Sequence, residues 1–229
     1  MSSLVLVRHG QARAFEKHSD RLSELGEQQA RVLGEWWRAR GVTFGAAICG
    51  TLERQRRTAE LAGLDGVIED SRWNEYDAGG VVARGVPALA AADPEFARLH
   101  RAAEEHRYTP EANRHFQRMF EILMNRWVEG TLRLDDVEPW DVFQQRVREA
   151  LRDLMKSHGS GARVAVFTSG GPIAVAVQTV LAAPANKIIE INWRVRNCSI
   201  TEFLFTRDRI SLDLFNAVSH LEPSAVTYR

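Results

Sequence analysis

The stretch "ARVAVFTSGGPIAVAV", Ala162 to Val177, decides the fold. An apolar, β-rich run ends abruptly at Thr168-Ser169-Gly170-Gly171-Pro172, and a second apolar run follows. A continuous apolar run is the mark of a strand buried on both faces, and proline is at home in the first turn of a helix. The stretch therefore reads as a strand delivering a tight turn to a helix. Backbone N–H groups at such a turn are free to hold an anion, which makes Ser169 and Gly170 candidate ligand contacts. Ser169 can also be read as a nucleophile. The nucleophile elbow, however, wants glycine two residues before and after the serine. Gly171 satisfies one side and Phe167 breaks the other, so that reading is rejected.

Working outward, the same alternation continues along the chain. Leu4–Val7 is another short buried strand. From Ser23, an N-cap, the residues Leu22, Leu25, Gln29, Val32, Leu33 and Trp36 follow helical spacing. Residues 43–50 and 65–71 read as strands, with a helix from near Thr51 to about Ala62 between them. Residues 74–93 lack clear periodicity and read as Gly- and Ala-rich loops, and 94–128 as one long polar helical segment. Residues 139–158 form an amphipathic helix with Phe143, Val147, Ala150, Leu151 and Leu154 as its stripe. Two final β runs span 199–206 and 210–216. Strands alternating with helices predict an α/β fold, a three-layer α/β/α sandwich around a mostly parallel sheet. Ligands in such sheets sit at the carboxyl ends of the strands, here the loops at 8–11, 50–54 and 169–171.

Composition narrows the function. The chain has 229 residues, 45% hydrophobic and 26% charged, with Lys+Arg 30 balancing Asp+Glu 30. No global basic field points to nucleic acid or an anionic membrane, so any positive potential is local. Lysine occurs only at 17, 156 and 187, so the cations are nearly all arginine, whose planar fork suits phosphate. Cys49 and Cys198 fit neither a metal spacing nor a disulfide framework, and the apolar run before Arg8 is too short for a signal peptide. A cytoplasmic protein is expected, and a homodimer is one assembly the sequence allows.

Three segments carry residues fit for chemistry. In "VRHGQ" (7–11) an arginine and a histidine end a buried strand, and a fixed cation biases the imidazole to its neutral, nucleophilic form. Gly10 lets the backbone turn closely under an oxyanion, with Gln11 beside it. In "GTLERQRRTAE" (50–60), Arg54 lies in the first turn of a helix, a phosphate site by backbone N–H groups and a bidentate fork. In "RWNEYDAGG" (72–80), Glu75 sits between Trp73 and Tyr76, where desolvation raises a carboxyl pKa towards that of a general acid. Taken singly, each segment has an ordinary reading as well: an exposed histidine, a solvated arginine face, a loop acid.

Together they resemble the histidine phosphatase superfamily, the clan of phosphoglycerate mutases and histidine acid phosphatases. The resemblance rests on "RHG" after an N-terminal strand, the L-x-R-x-x-x-T-A pattern at 52–59 and the later loop glutamate. "RLSELGEQQA" (21–30), "PWDVFQQRV" (139–147), "NCSIT" (197–201) and "NAVSHL" (216–221) extend it over most of the chain. It implies a single phosphoglycerate mutase-like domain, 1–229, with about 74–130 as a helical lid insertion. It implies a phosphatase acting on a small phosphorylated substrate, with no cofactor and no metal, because arginines supply the positive charge. His9 would be the nucleophile, Arg8 and Arg54 the phosphoryl clamp, and Glu75 the acid that protonates the leaving oxygen.

Two departures accompany the resemblance. Arg57 stands where glutamine is frequent, and Ser169 stands where the family carries a second histidine that binds the phosphoryl group. A serine hydroxyl donates one neutral hydrogen bond and cannot become a cation, which predicts a slower or differently tuned enzyme. His220, in the C-terminal "SHL", is a candidate to reach the pocket, and His18 a weaker one. His100, His106 and His115 are expected at solvent, and His158 at a helix C-terminus where it satisfies the dipole. A phosphoglycerate mutase and a weakened phospholigand-binding or regulatory protein are the alternative functions.

Overall fold

A computed structural model describes residues 1–13, 20–106, 109, 112–184 and 187–228. Among them are six strands: β1 (Ser2–Arg8), β2 (Ala46–Cys49), β3 (Ile68–Glu69), β4 (Arg163–Thr168), β5 (Ile200–Phe205) and β6 (Ile210–Ala217). They form one sheet of order β3-β2-β4-β1-β5-β6. The β3-β2-β4-β1 side is parallel, while β5 runs antiparallel to β1 and β6 antiparallel to β5. The two runs that read as buried strands are the centre of this sheet. β1 and β4 lie side by side, their last pair is Arg8 opposite Thr168, and Leu4, Leu6, Val164 and Val166 have no exposed surface. His9 and Ser169, the next residue on each strand, therefore emerge together at the carboxyl edge.

The helices are α1 (Glu24–Ala39), α2 (Glu53–Leu61), α3 (Ala78–Ala92), α4 (Pro94–Glu105), α5 (Ala112–Val128), α6 (Trp140–Ser157), α7 (Gly170–Leu181) and α8 (Lys187–Arg194). Ser23 caps α1, its side chain accepting from Gly26 N at 3.0 Å, with Glu24 and Glu27 in the first turn where the helix dipole favours negative charge. α7 is apolar on every side and is buried along most of its length, as a helix inside an α/β core must be. Trp37, Leu33, Ala59, Phe167 and Cys198 meet in a core that joins α1 and α2 to the sheet.

The chain divides into two compact units, residues 1–75 with 146–229, and residues 76–145. The first holds the sheet and its flanking helices. The second is helical, with α3, α4 and α5 packed on one another and an aromatic cluster of Tyr76, Trp127, Trp140 and Phe143.

Three expectations change. Residues 78–92, read as loop, are helix α3: Asp77 caps it by accepting from Gly80 N at 2.8 Å, and the alanines that follow are strong helix formers. The segment 94–128 is two helices rather than one, with His106 at the C-cap of the first. Helix α8 lies in a stretch to which the sequence reading gave no element.

Candidate active site

The loop after β1 is fixed from three sides. Gly10 N donates to Thr58 Oγ1 at 3.1 Å, and that hydroxyl donates to Arg54 O. Gln11 N donates to Gln29 Oε1, and the Gln11 side chain accepts from Ser23 Oγ at 2.8 Å. Gly10 also packs against the first turn of α1 so closely that a Cβ would run into the Gly26 carbonyl oxygen. This approach is what the glycine permits.

His9 is buried at the edge so formed. Its Nδ1 lies 2.7 Å from Gly10 O. A carbonyl only accepts, so Nδ1 carries the ring proton and Nε2 keeps its lone pair. Arg54 Nε donates to that Nε2 at 3.1 Å. Burial holds the imidazole pKa well below 6.5, the Arg54 and Arg8 charges push it the same way, and the Gly10 carbonyl partly opposes them. His9 is thus neutral in one tautomer, with its basic nitrogen directed at a guanidinium. Its own carbonyl accepts from Cys198 N and Asn197 Nδ2.

Arg54 is itself oriented. Its Nη1 donates to Asp20 Oδ1 at 2.6 Å, while Asp20 Oδ2 accepts from Glu53 N in the first turn of α2. Arg8, expected to clamp beside it, directs Nη1 to the carbonyl oxygens of Val195 and Tyr228. It acts on His9 through its charge.

Glu75 lies at the start of α7, where its Oε2 accepts from Gly171 N at 3.1 Å. The second glycine of "TSGGP" therefore spends its N–H on a carboxylate of the protein. The loop bearing Glu75 is held from behind by Arg146 of α6. Its Nη1 donates to Arg72 O and Asn74 O, both at 2.9 Å, and its Nη2 to Glu75 O at 3.5 Å. Thr168 Oγ1 and Gln55 Nε2 both donate to Trp73 O. Gly170 is buried, and the Asn192 side chain of α8 fills the place where its Cβ would stand.

The remaining candidates divide clearly. Ser169 is buried and accepts from Gln55 Nε2 at 2.8 Å. His220 lies against Trp36, with ring centroids 6.0 Å apart, and burial drives its pKa down to about 4. Its neighbours Trp36 and Cys198 belong to the core that joins α1 and α2 to the sheet. Arg57 pairs with Glu60 and Glu27, tying α2 to α1 at the surface. His158 Nδ1 pairs with Leu154 O in the last turn of α6, as its helix-end position suggested. His106 and His115 stack on each other at 4.4 Å. His18 lies outside the described residues. Among those described, no group of three or more His, Cys, Asp or Glu is placed to hold a metal ion, and no helix is long and apolar enough to cross a membrane.

Asp20, Gln55 and Arg146 were not anticipated. Gln55 directly follows Arg54, so helical position is the one signal that it faces the strand ends. Nothing local marks Asp20 or Arg146, whose partners come from other elements.

The profile of the histidine phosphatase superfamily (branch 1) matches residues 4–129 and 105–218. No curated protein sequence matches at a significant level. Among solved structures, a phosphoserine phosphatase mutant from Entamoeba histolytica, in complex with phosphoserine, superposes with a TM-score of 0.66 at 17% identity, over 97% of this chain and 100% of that one. A putative alpha-ribazole-5'-P phosphatase from Escherichia coli gives 0.66 at 21% identity, over 94% and 96%. A mycobacterial glucosyl-3-phosphoglycerate phosphatase, in complex with inorganic phosphate, gives 0.61 at 22%, over 96% and 99%. At these identities the superpositions establish the shared fold.

Proposed function

Because this chain belongs to the histidine phosphatase superfamily, we propose that it is a phosphoric monoester hydrolase that cleaves a small phosphomonoester through a phosphohistidine at His9. One observation carries the reading. His9 is held neutral with Nδ1–H on the Gly10 carbonyl, so its remaining lone pair, on Nε2, accepts from the Arg54 guanidinium. A nucleophile aimed at a cation suits an anionic electrophile.

In the first step the Nε2 lone pair attacks phosphorus and the bond from phosphorus to the ester oxygen breaks. Arg54 moves its hydrogen bond from Nε2 to the phosphoryl oxygens. The protonated Glu75 carboxyl gives its proton to the departing alkoxide. In the second step water attacks phosphorus and Glu75 takes the water proton. The P–N bond breaks and returns its electrons to Nε2. The buried ring favours this return, since it stabilises neutral imidazole. The positive charge comes from arginine, so turnover in the presence of a chelator is expected to match turnover without it.

Trapping tests the proposal. After incubation with a labelled phosphomonoester and denaturation, the wild-type chain is expected to carry acid-labile phosphate, and His9→Ala to carry none and to lose turnover. No acid-labile phosphate on the wild type, or undiminished turnover in His9→Ala, would sink the proposal.

A further inference from the structure

Gln55 is a fully buried polar side chain at the strand edge that carries His9. Its amide nitrogen donates both protons, one to Ser169 Oγ at 2.8 Å and one to Trp73 O at 3.2 Å. Its Oε1 accepts from Leu52 N at 3.4 Å. The carboxamide is therefore consumed within the protein and is not itself a ligand contact. The partner on its far side has something left to give. Ser169 Oγ receives a proton from Gln55, and among the described residues no acceptor takes the proton of its own hydroxyl. The strand register sets Ser169 next to His9, since the preceding pair is Arg8 opposite Thr168 and His9 N donates to Thr168 O. A hydroxyl that accepts from Gln55 and follows the strand pair preceding His9 has its O–H left to donate.

We propose that Gln55 is a positioning residue that holds the Ser169 hydroxyl as a donor to the oxyanion bound at His9. The proposal rests on reading His9 as the phosphoryl acceptor, and it assigns Ser169 an active role within that site. The donor is neutral, so its contribution is smaller than that of a cation but is retained when the anion arrives. Gln55 also occupies the space beside Ser169 Oγ, so a larger side chain at 169 meets the amide. Ser169→His alone is accordingly expected to disturb the site rather than improve it.

The test measures the affinity of the full chain for orthovanadate and inorganic phosphate by calorimetry, together with kcat, KM and melting temperature. The variants are Ser169→Ala, Gln55→Leu and the double variant, with Gln55→Met as a second isosteric change that lacks donors. Loss of Gln55 leaves Trp73 O still bonded to Thr168 Oγ1 at 2.6 Å, so the loop keeps a support. Each single variant is expected to weaken vanadate binding and lower kcat by about tenfold, with KM little changed. The double variant is expected to lose no more than either single one, because the two residues act through one hydroxyl. Losses that simply add, or a Gln55→Leu or Gln55→Met chain that folds and binds vanadate as the wild type does, would overturn the proposal. A purely structural role would lower the melting temperature without that coupling. Vanadate binding needs no turnover, so it reports on Gln55 even if phosphohistidine trapping fails. Trapping that succeeds with an uncoupled pair rejects the Gln55 role alone.

Discussion

Arg54 Nε donates to His9 Nε2 across 3.1 Å, so the lone pair of the proposed nucleophile is engaged by the guanidinium proposed to bind the phosphoryl group. The pair is preorganised from both ends. Gly10 fixes the imidazole through Nδ1, and Asp20 fixes the guanidinium through Nη1. In the proposed reaction this one hydrogen bond opens as the phosphoryl group enters, while the Gly10 and Asp20 contacts are free to persist.

Asp20→Asn should weaken this arrangement without abolishing it. Its carboxylate is partly exposed, and ion pairs of that kind contribute up to about 1 kcal/mol. The expected result is a fall in kcat/KM of roughly two- to fivefold, measured at low ionic strength, and a smaller fall in high salt. An unchanged or raised kcat/KM would show that Asp20 does not orient Arg54.

Glu75→Gln should slow substrates according to their leaving groups. General acid–base catalysis contributes roughly a hundred- to ten-thousandfold. Alkyl phosphates, whose leaving oxygen needs a proton, should lose most of that, and 4-nitrophenyl phosphate far less. Equal losses for both substrates would remove Glu75 from the acid role.

Arg146→Met should act on the same step from a distance. It removes a charged donor from three carbonyl groups in the loop that carries Glu75. The expected outcome is at least a tenfold lower kcat together with a lower melting temperature, since hydrogen bonds from charged groups contribute about 1.5–3 kcal/mol. A normal kcat for alkyl phosphates would contradict it.

Two buried histidines give the fold a defined pH response. The pKa of His220 is depressed in the folded chain to about 4. The folded state therefore binds fewer protons than the unfolded one between about pH 4 and the unfolded value near pH 6.5, so stability falls as pH is lowered through that window. The His220 contribution to the loss is on the order of 3 kcal/mol by pH 4, and His9 adds in the same direction. His220→Phe should flatten the curve of denaturation midpoint against pH from 6.5 to 4. An unaltered curve would mean that the ring is not titrating in the unfolded state alone.

Gly10→Ala should damage the fold as well as the site. The added Cβ meets a backbone carbonyl of Gly26, which no side-chain rotation can relieve. Overpacking of this kind costs roughly 1–3 kcal/mol, so a urea titration should show a clearly lowered midpoint.

What the sequence determined by itself is the part written in local pattern. The continuous apolar runs of β1 and β4, the Ser23 cap and the stripe of α6 each follow from neighbours within a few residues. They place "RHG", Arg54 and "TSGGP" at the carboxyl edge of the parallel part of the sheet. Glycines at 79 and 80 obscured α3, whose alanine-rich body is stabilised by packing on α4 and α5 that no short window reveals. Only the tertiary structure decided how the donors at the edge are allotted. Arg8 turns to Val195 and Tyr228, Gly171 N–H goes to Glu75, and Arg146 crosses to the Glu75 loop. Ser169, an ambiguous serine in the sequence, accepts from Gln55, 114 residues earlier in the chain. Hydrogen bonds of that range depend on how separate elements are brought together. A local period fixes which face of an element is buried, but not which distant group its polar atoms will meet.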